Sequence, residues 1–451
     1  MTTPGSVWVA SLELDGDGRL AGPDGPEPTD QEQARVLVRL HSTPLGFVAV
    51  PVQPAETLTL RVRATAESAL ANAVRRHQEL DALSGEPTGE ASWTASVACP
   101  RRFPARGGAG ISIVICTRDR TQSLEECLRA VRQVDYQPLE ILVVDNAPGG
   151  DETRELVTGL AWSDPRIRYT VEPRPGLSVA RNHGLAQARY DLVAFTDDDA
   201  IVDPGWPAAL AAGFASDPAA VCVTGFVPAG GLDTWSERYF DARYAWGEIA
   251  EPRQYDLLHH RLPVRLYPFC AGVFGTGANF AVSRDAVTSL GGFDTLLGVG
   301  APGLGGEDLD MFLRLILAGG RICYQPSALV WHRHRSDPDA LGDQIYAYGH
   351  GLGAYLAKHS RNRQLRAALV RHGPVQLAVT IGRIRKASRS SSQLRSTSAR
   401  LGITEARGVV AGALRYRRAA HQQSRLAAHS PPDGNQLSPV VAPQHENSLH
   451  T

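Results

Sequence analysis

Lysine is nearly missing from this chain: of 46 basic residues only Lys358 and Lys386 are lysine, and the rest are arginine. Net charge is -1, so the molecule as a whole is not a polyanion binder. Cysteine is sparse. Cys99, Cys116, Cys127, Cys222, Cys270 and Cys323 form no CxxC pair and mostly fall in apolar segments, which predicts small buried thiols in a reducing compartment. No apolar run reaches the length of about 18 residues that a membrane span needs. Residues 1–6 lack a basic start and no apolar core follows, so no secretory leader is expected. These absences predict a cytoplasmic protein that at most touches the inner face of the membrane.

What is present is an alternating α/β pattern with polar strand ends. Hydrophobic residues make up 43% of the 451 positions, enough for a sizeable core and about three domains. Residues 1–105 form the first unit, an accessory α+β domain and linker. Val7 to Leu14 alternates like a strand, Asp15 to Asp30 reads as loop, and Ala34 to Val52 reads as two strands around a turn at Thr43-Pro44-Leu45-Gly46. Thr65 to Leu83 is helical in pattern, and Ser84 to Gly110 reads as linker.

Residues 106–335 form the second unit. Strands are predicted at Ile111 to Thr117, Leu139 to Val144, Ile167 to Val171 and Leu192 to Phe195. Helices are predicted between them, one capped at Thr121 and another over Gly176 to Arg189. Such a run implies a mostly parallel central sheet with helices on both faces and ligands outside the carboxyl ends of its strands. Three of those ends are polar: Thr117-Arg118-Asp119, Asp145-Asn146 and Asp197-Asp198-Asp199. Side chains alternate along a strand, so Asp197 and Asp199 should share one side and Asp198 face the other. Two carboxylates so placed suit a hard divalent cation bound with phosphates; an acidic turn that merely stops the strand is the plainer alternative.

Further along, Val221 to Val227 is a strand, and aromatics crowd Trp235 to Phe269. The Gly291 to Gly306 segment carries seven glycines, the composition of either a lid or a loose connector. Glu307 and Asp308 then open an amphipathic helix with Leu309, Phe312, Leu313, Ile316 and Leu317 on its apolar side. A last strand, Ser327 to Trp331, runs into His332. Residues 336–428 form a basic helical region, with 14 Arg and 2 Lys against Glu405 alone between Lys358 and Arg425. Such a face suits an anionic lipid surface or a diphosphate acceptor. No nucleic-acid motif accompanies it. Residues 429–451 read as a disordered tail.

The segments ISIVICTRDR, EILVVDNA, GLSVARNHGLAQA, DLVAFTDDDA, GTGANFAVSRDAV, GGFD and GGEDLDMFLRLILAGGRICYQPSALVWH follow one another in an order that resembles the family 2 glycosyltransferases of GT-A fold, over about half the chain. The resemblance implies a Rossmann-like GT-A domain that moves a sugar from a UDP- or dTDP-sugar to a hydroxyl, with inversion. The acceptor would be a cell-envelope glycan, a lipid-linked molecule or a small metabolite. It places Thr117, Arg118, Asp145, Arg181, Asp197 and Asp198 around the nucleotide sugar. It makes Asp199, with Asp197 and His332, the holders of Mn²⁺ or Mg²⁺. Asp308 becomes the general base, and Glu307 a group that holds the acceptor or the backbone. Arg181 could instead orient the aspartates or sit in a surface ion pair. Two readings compete: a sugar-phosphate nucleotidyltransferase, and a non-catalytic nucleotide-sugar-binding scaffold. The first needs a glycine-rich phosphate loop after the first strand, where CTRDRTQS has no glycine. The intact acid pairs speak against the second.

Overall fold

The computed structural model describes residues 5–23, 25–83, 106–244, 251–264, 266–270, 272–363, 365–367, 370–371 and 392–429. Most of the expected linker, and the expected tail from residue 430 on, lie outside the described residues.

The N-terminal unit comprises β1 (Val7–Glu13), β2 (Leu20–Ala21), β3 (Gln33–Leu40), β4 (Thr43–Pro51), α1 (Leu58–Ala69) and α2 (Ala71–Leu83). Its sheet runs β2-β1-β3-β4, with β1 and β3 parallel. The turn between β3 and β4 falls at His41-Ser42, not at Thr43 to Gly46; both turn residues are left-handed, at φ 52° and 65°. Thr43 to Gly46 lies within β4, where Leu45 is an extra residue between the pairs Val38–Gly46 and Arg39–Pro44. As an edge strand, β4 tolerates a proline that an interior strand would not. Alternate residues of β1, β3 and β4 pack with Val62, Ala66 and Val74 of the helices. The opposite face leans on the second unit, where Arg39 pairs with Asp203 at 2.5 Å and Arg35 with Asp241 at 2.6 Å.

The central unit contains β5 (Arg106–Thr117), α3 (Thr121–Arg132), β6 (Gln137–Asn146), α4 (Glu152–Ala161), β7 (Ile167–Glu172), α5 (Leu177–Gln187), β8 (Leu192–Asp197) and β9 (Ala200–Val202). It continues through α6 (Trp206–Ala215), β10 (Ala220–Phe226), α7 (Trp235–Tyr244), β11 (Arg253–Tyr255), β12 (Asn279–Ser283), α8 (Arg284–Ser289), α9 (Glu307–Leu317) and β13 (Arg321–His332). The nine-stranded sheet is ordered β11-β13-β10-β12-β8-β5-β6-β7, with β9 on β13. From β7 to β8 every pair is parallel. Beyond β8 the sheet is mixed, because β12 is antiparallel to both β8 and β10. The architecture is the α/β, Rossmann-like one expected for the GT-A class, with its parallel run confined to one half. Residue pairing sets the strand tips side by side: Thr117 opposite Asp145, and Cys116 opposite Asp197.

Two local expectations need correction. Arg120, not Thr121, is the cap residue of α3, and no side-chain cap bond forms; the Thr121 hydroxyl faces Thr153 instead, at 3.3 Å. In α9 the buried residues are Glu307, Asp310, Met311, Phe312, Leu313, Leu315 and Ile316, while Leu317 is exposed. This helix is packed on more than one side, so its burial exceeds a single stripe.

Helix α10 (Pro338–His359) and helix α11 (Ser392–His429) lie against each other and run in the same direction: Leu341 and Ile345 meet Leu401, and Ala354 and Ala357 meet Tyr416. Their contact is made of glycine. A Cβ on Gly353 would lie 2.0 Å from the Val409 carbonyl oxygen, and one on Gly412 1.9 Å from that of His350. Small residues four apart on both helices let the backbones approach this closely.

Candidate active site

Strand β8 ends at Asp197, and Asp198-Asp199 form the turn into β9. Because β9 pairs with β13, Ala200 lies opposite His332, and the imidazole arrives beside Asp199. The Nε2 atom of His332 is 3.5 Å from Oδ1 of Asp199. Asp197, Asp199 and His332 bring one ligand atom each within 4.8 Å of one another, a donor set that suits a divalent cation.

The middle aspartate turns away from this trio. Asp198 is buried; it accepts a 2.7 Å hydrogen bond from the Thr117 hydroxyl and a 2.5 Å bond from Arg120. Its carboxylate, and the Thr117 hydroxyl with it, are thus engaged inside the protein and not open to a nucleotide sugar. Arg120 also donates to Asp199 at 2.9 Å, and Arg335 lies 3.6 Å from the same oxygen. Burial pushes Asp198 above the usual carboxylate range against the pull of Arg120. In Asp199 burial acts the same way, but His332, Arg120 and Arg335 outweigh it and hold the group below that range. Sequence reasoning missed Arg120 and Arg335; a guanidinium three residues beyond Thr117, directly after the strand end, was the available signal.

Arg181 corrects a second expectation. It is 2% exposed, so it is not a surface ion pair. From α5 it donates to Glu307 at 2.9 Å and to the Gly277 carbonyl at 2.9 Å, and it lies 3.5 Å from Asp197. The rings of Phe195, Phe280 and Phe293 surround the guanidinium. Arg181 therefore orients the acids, the alternative role. Glu307 is likewise spent inward. Burial raises both Asp197 and Glu307 to about 7, opposed by the one guanidinium they share. Asp308, next in the chain, is half-buried, and its Oδ1 accepts a bond from the Leu309 amide. Its other oxygen lies near the Gly277 backbone beside Arg181.

On the neighbouring strand tip, Asp145 does not cap a helix. It is fully buried, Oδ2 accepts a 2.8 Å bond from the Tyr169 hydroxyl, and Oδ1 has no hydrogen-bond partner among the described residues. Burial raises its pKa, moderated by the tyrosine. Arg118 stays half-exposed, 3.8 Å from Asp119, whose Oδ1 accepts from the Gly149 amide.

The glycine-rich segment before α9 is neither a loose connector nor an open lid. The Leu177 amide bonds to Val299, Ser178 to Leu297, Gly303 to Leu296, and the His350 ring meets the Gly303 carbonyl. Gly306, at φ 80°, adopts the left-handed turn into the helix that a side chain would resist.

Residues 112–287 match the model of Glycosyl transferase family 2. The glucosyl-dolichyl phosphate glucuronosyltransferase of Haloferax volcanii is 27% identical over 49% of this chain and 69% of its own length. The pre-mycofactocin glycosyltransferase of Mycobacterium tuberculosis is 28% identical over 54% of this chain, which spans only 46% of that relative. A solved mannosyltransferase from Pyrobaculum calidifontis, in complex with GDP-Man and Mn2+, is 17% identical, covers 82% of this chain with 92% of its own, and has a TM-score of 0.43. The segment that carries these strand-tip acids is thus the part of the chain that matches glycosyl transferase family 2.

Proposed function

We propose that this protein is an inverting, cation-dependent glycosyltransferase that takes a sugar from a UDP- or dTDP-sugar to an acceptor hydroxyl. The observation that carries the reading is the convergence of Asp197, Asp199 and His332 at the tip of β8, beside a buried Asp145 carboxylate with one oxygen to spare. Four acids, Asp197, Asp199, Glu307 and Asp308, gather here, and the guanidinium nearest the deep pair is Arg181 alone. Asp197, Asp199 and His332 would hold a Mn²⁺ or Mg²⁺ ion, which when bound would offset the charge on the departing nucleoside diphosphate.

The chain's own groups do the rest. Oδ1 of Asp145 accepts the imide N–H of the pyrimidine, a charge-assisted bond that orients the nucleoside along the tips of β5 and β6. Asp308 takes the proton of the acceptor hydroxyl as that oxygen attacks the anomeric carbon. A single base on one face gives inversion. Glu307 and Arg181 fix the start of α9 so that Asp308 faces the cleft. Two of the relatives are named for glucosyl-dolichyl phosphate and for pre-mycofactocin, and the acceptor class proposed here is a lipid-linked or small-molecule acceptor of the cell envelope. No helix among the described residues is long and apolar enough to cross a membrane. Exposed Ile403, Val410 and Leu414 share one face of α11 with Arg407 and Arg418, a composition suited to a peripheral contact with anionic lipid.

The test is a thermal-shift panel of nucleotide sugars with and without Mn²⁺, followed by turnover of wild type, Asp199→Ala and Asp308→Asn. Stabilisation by one donor only when Mn²⁺ is present, and loss of turnover in both variants, are expected. Undiminished turnover in both would defeat the mechanism.

A further inference from the structure

A second convergence of imidazole and carboxylate lies in the N-terminal unit, away from the strand tips. His41 stands in the two-residue turn between β3 and β4, and His77 and Asp81 lie one turn apart on α2. Nδ1 of His41 is 3.1 Å from Nε2 of His77 and 3.1 Å from Oδ2 of Asp81; the last two atoms are 3.3 Å apart. The three residues are 6%, 2% and 8% exposed.

We propose that His41, His77 and Asp81 form a zinc site that staples the N-terminal unit. Three observations carry it. The first is the triangle itself. Zinc with bonds of about 2.0–2.1 Å to nitrogen and oxygen, in tetrahedral geometry, sets neighbouring ligand atoms about 3.3 Å apart. The three atoms already stand at nearly that spacing. One N–H shared within the triangle would instead set the lone pairs of the other two atoms against each other. The second is the group behind His41. Its other nitrogen, Nε2, faces the buried Asp15 carboxylate at 3.7 Å, the outer carboxylate that commonly orients a metal-bound imidazole. The third is the backbone. Two successive left-handed residues favour asparagine and glycine, yet His and Ser occupy them, and the turn delivers the imidazole to α2. Two nitrogens and one oxygen suit zinc better than the hard ions, and three protein ligands leave the fourth position to water. The bond so formed would tie hairpin to helix in a unit of fewer than about 80 residues, the size at which such ties matter.

The test uses the full-length chain, purified without chelator. Elemental analysis of wild type and Asp199→Ala should each return one zinc per chain, and His77→Gln should return none. After chelation the melting temperature should fall and recover on adding Zn²⁺ alone, while Mn²⁺ does not restore it. Cobalt substitution should give the intense visible bands of a tetrahedral site. Asp15→Asn, which leaves all three ligands in place, should weaken zinc binding about 10–100-fold and keeps the test open if His77→Gln does not fold. A wild-type chain that holds no zinc, with a melting temperature indifferent to chelator and to Zn²⁺, would overturn the proposal. So would zinc that disappears in Asp199→Ala yet persists in His77→Gln, or zinc affinity unchanged in Asp15→Asn.

Discussion

The tips of the central strands and the N-terminal sheet each gather aspartate and histidine, but under different conditions. At the strand tips, Arg120, Arg181 and Arg335 stand among the acids, Asp197 and Asp308 stay partly exposed, and Arg120 also lines an open cleft with Asp119, Thr121 and Arg333. In the N-terminal unit the three candidate ligands are all buried within a few ångströms of each other. Both clusters bury their histidines; the strand tips set guanidinium against the acids and leave one candidate ligand, Asp197, half-exposed. A third case lies between them. In α9, three acids occupy the first turn with three fates. Glu307 is bound to Arg181. Asp310 is fully buried, with Lys358 at 2.8 Å, His359 at 2.9 Å and Arg314 at 2.8 Å. Asp308 is half-buried, and its Oδ1 accepts from the neighbouring Leu309 amide.

This division can be broken by experiment. The largest effect is expected for Asp308→Asn: turnover should drop by about 10²–10⁴-fold, with donor KM and melting temperature little changed. A variant that also melted early would put Asp308 on the fold's side. Arg181→Met should act the opposite way. It strands the buried Glu307 without its guanidinium, costing about 3–5 kcal/mol of stability in urea unfolding. Asp310 sharpens the contrast through pH. The hydrogen bond with His359 and the charges of Lys358 and Arg314 hold it at about 2 against burial, below the ordinary 3.8. The stability it contributes is therefore complete above the ordinary carboxylate range and drains away as pH falls through about 4 towards 2, on the order of 2 kcal/mol. The stability gap between wild type and Asp310→Asn should shrink over that window; a gap that widened there would contradict the sign. The smallest effect is expected for Asp145→Asn, a rise of about tenfold in donor KM at unchanged kcat, measured by release of nucleoside diphosphate.

Much of this was legible in the chain. The apolar runs ending in Thr117, Asp145 and Asp197 mark strands and their polar tips because burial on both faces demands continuous hydrophobicity while a ligand edge demands the reverse. His332 was legible only as a residue following a strand; its partner strand, Ala200–Val202, is three residues long and leaves no periodicity to detect. The role of Arg181 was hidden for a related reason. Its spacing in VARNHG says helix, but whether a guanidinium points to solvent or to Glu307 depends on a residue 126 positions away. The misplaced turn at Thr43 has a simpler origin: Pro-Leu-Gly is a common turn sequence, and nothing in His-Ser advertises two left-handed residues. Glycine count also misled before α9, because the same residues that loosen a chain permit the close backbone contacts that pin this one.

The glycine crossing of α10 and α11 bears on the reaction centre. Gly351 of α10 presses on Gly305 and Gly306, leaving no room for a methyl group on either side, and these are the last residues before Glu307 and Asp308. From beyond the crossing, the Tyr416 hydroxyl reaches Asp294, in the same glycine-rich segment. The far end of the chain is thus a buttress for the start of α9. A version shortened after Arg335 would keep the clustered acids and the guanidiniums around them, yet lose the wall against which the turn into α9 is braced.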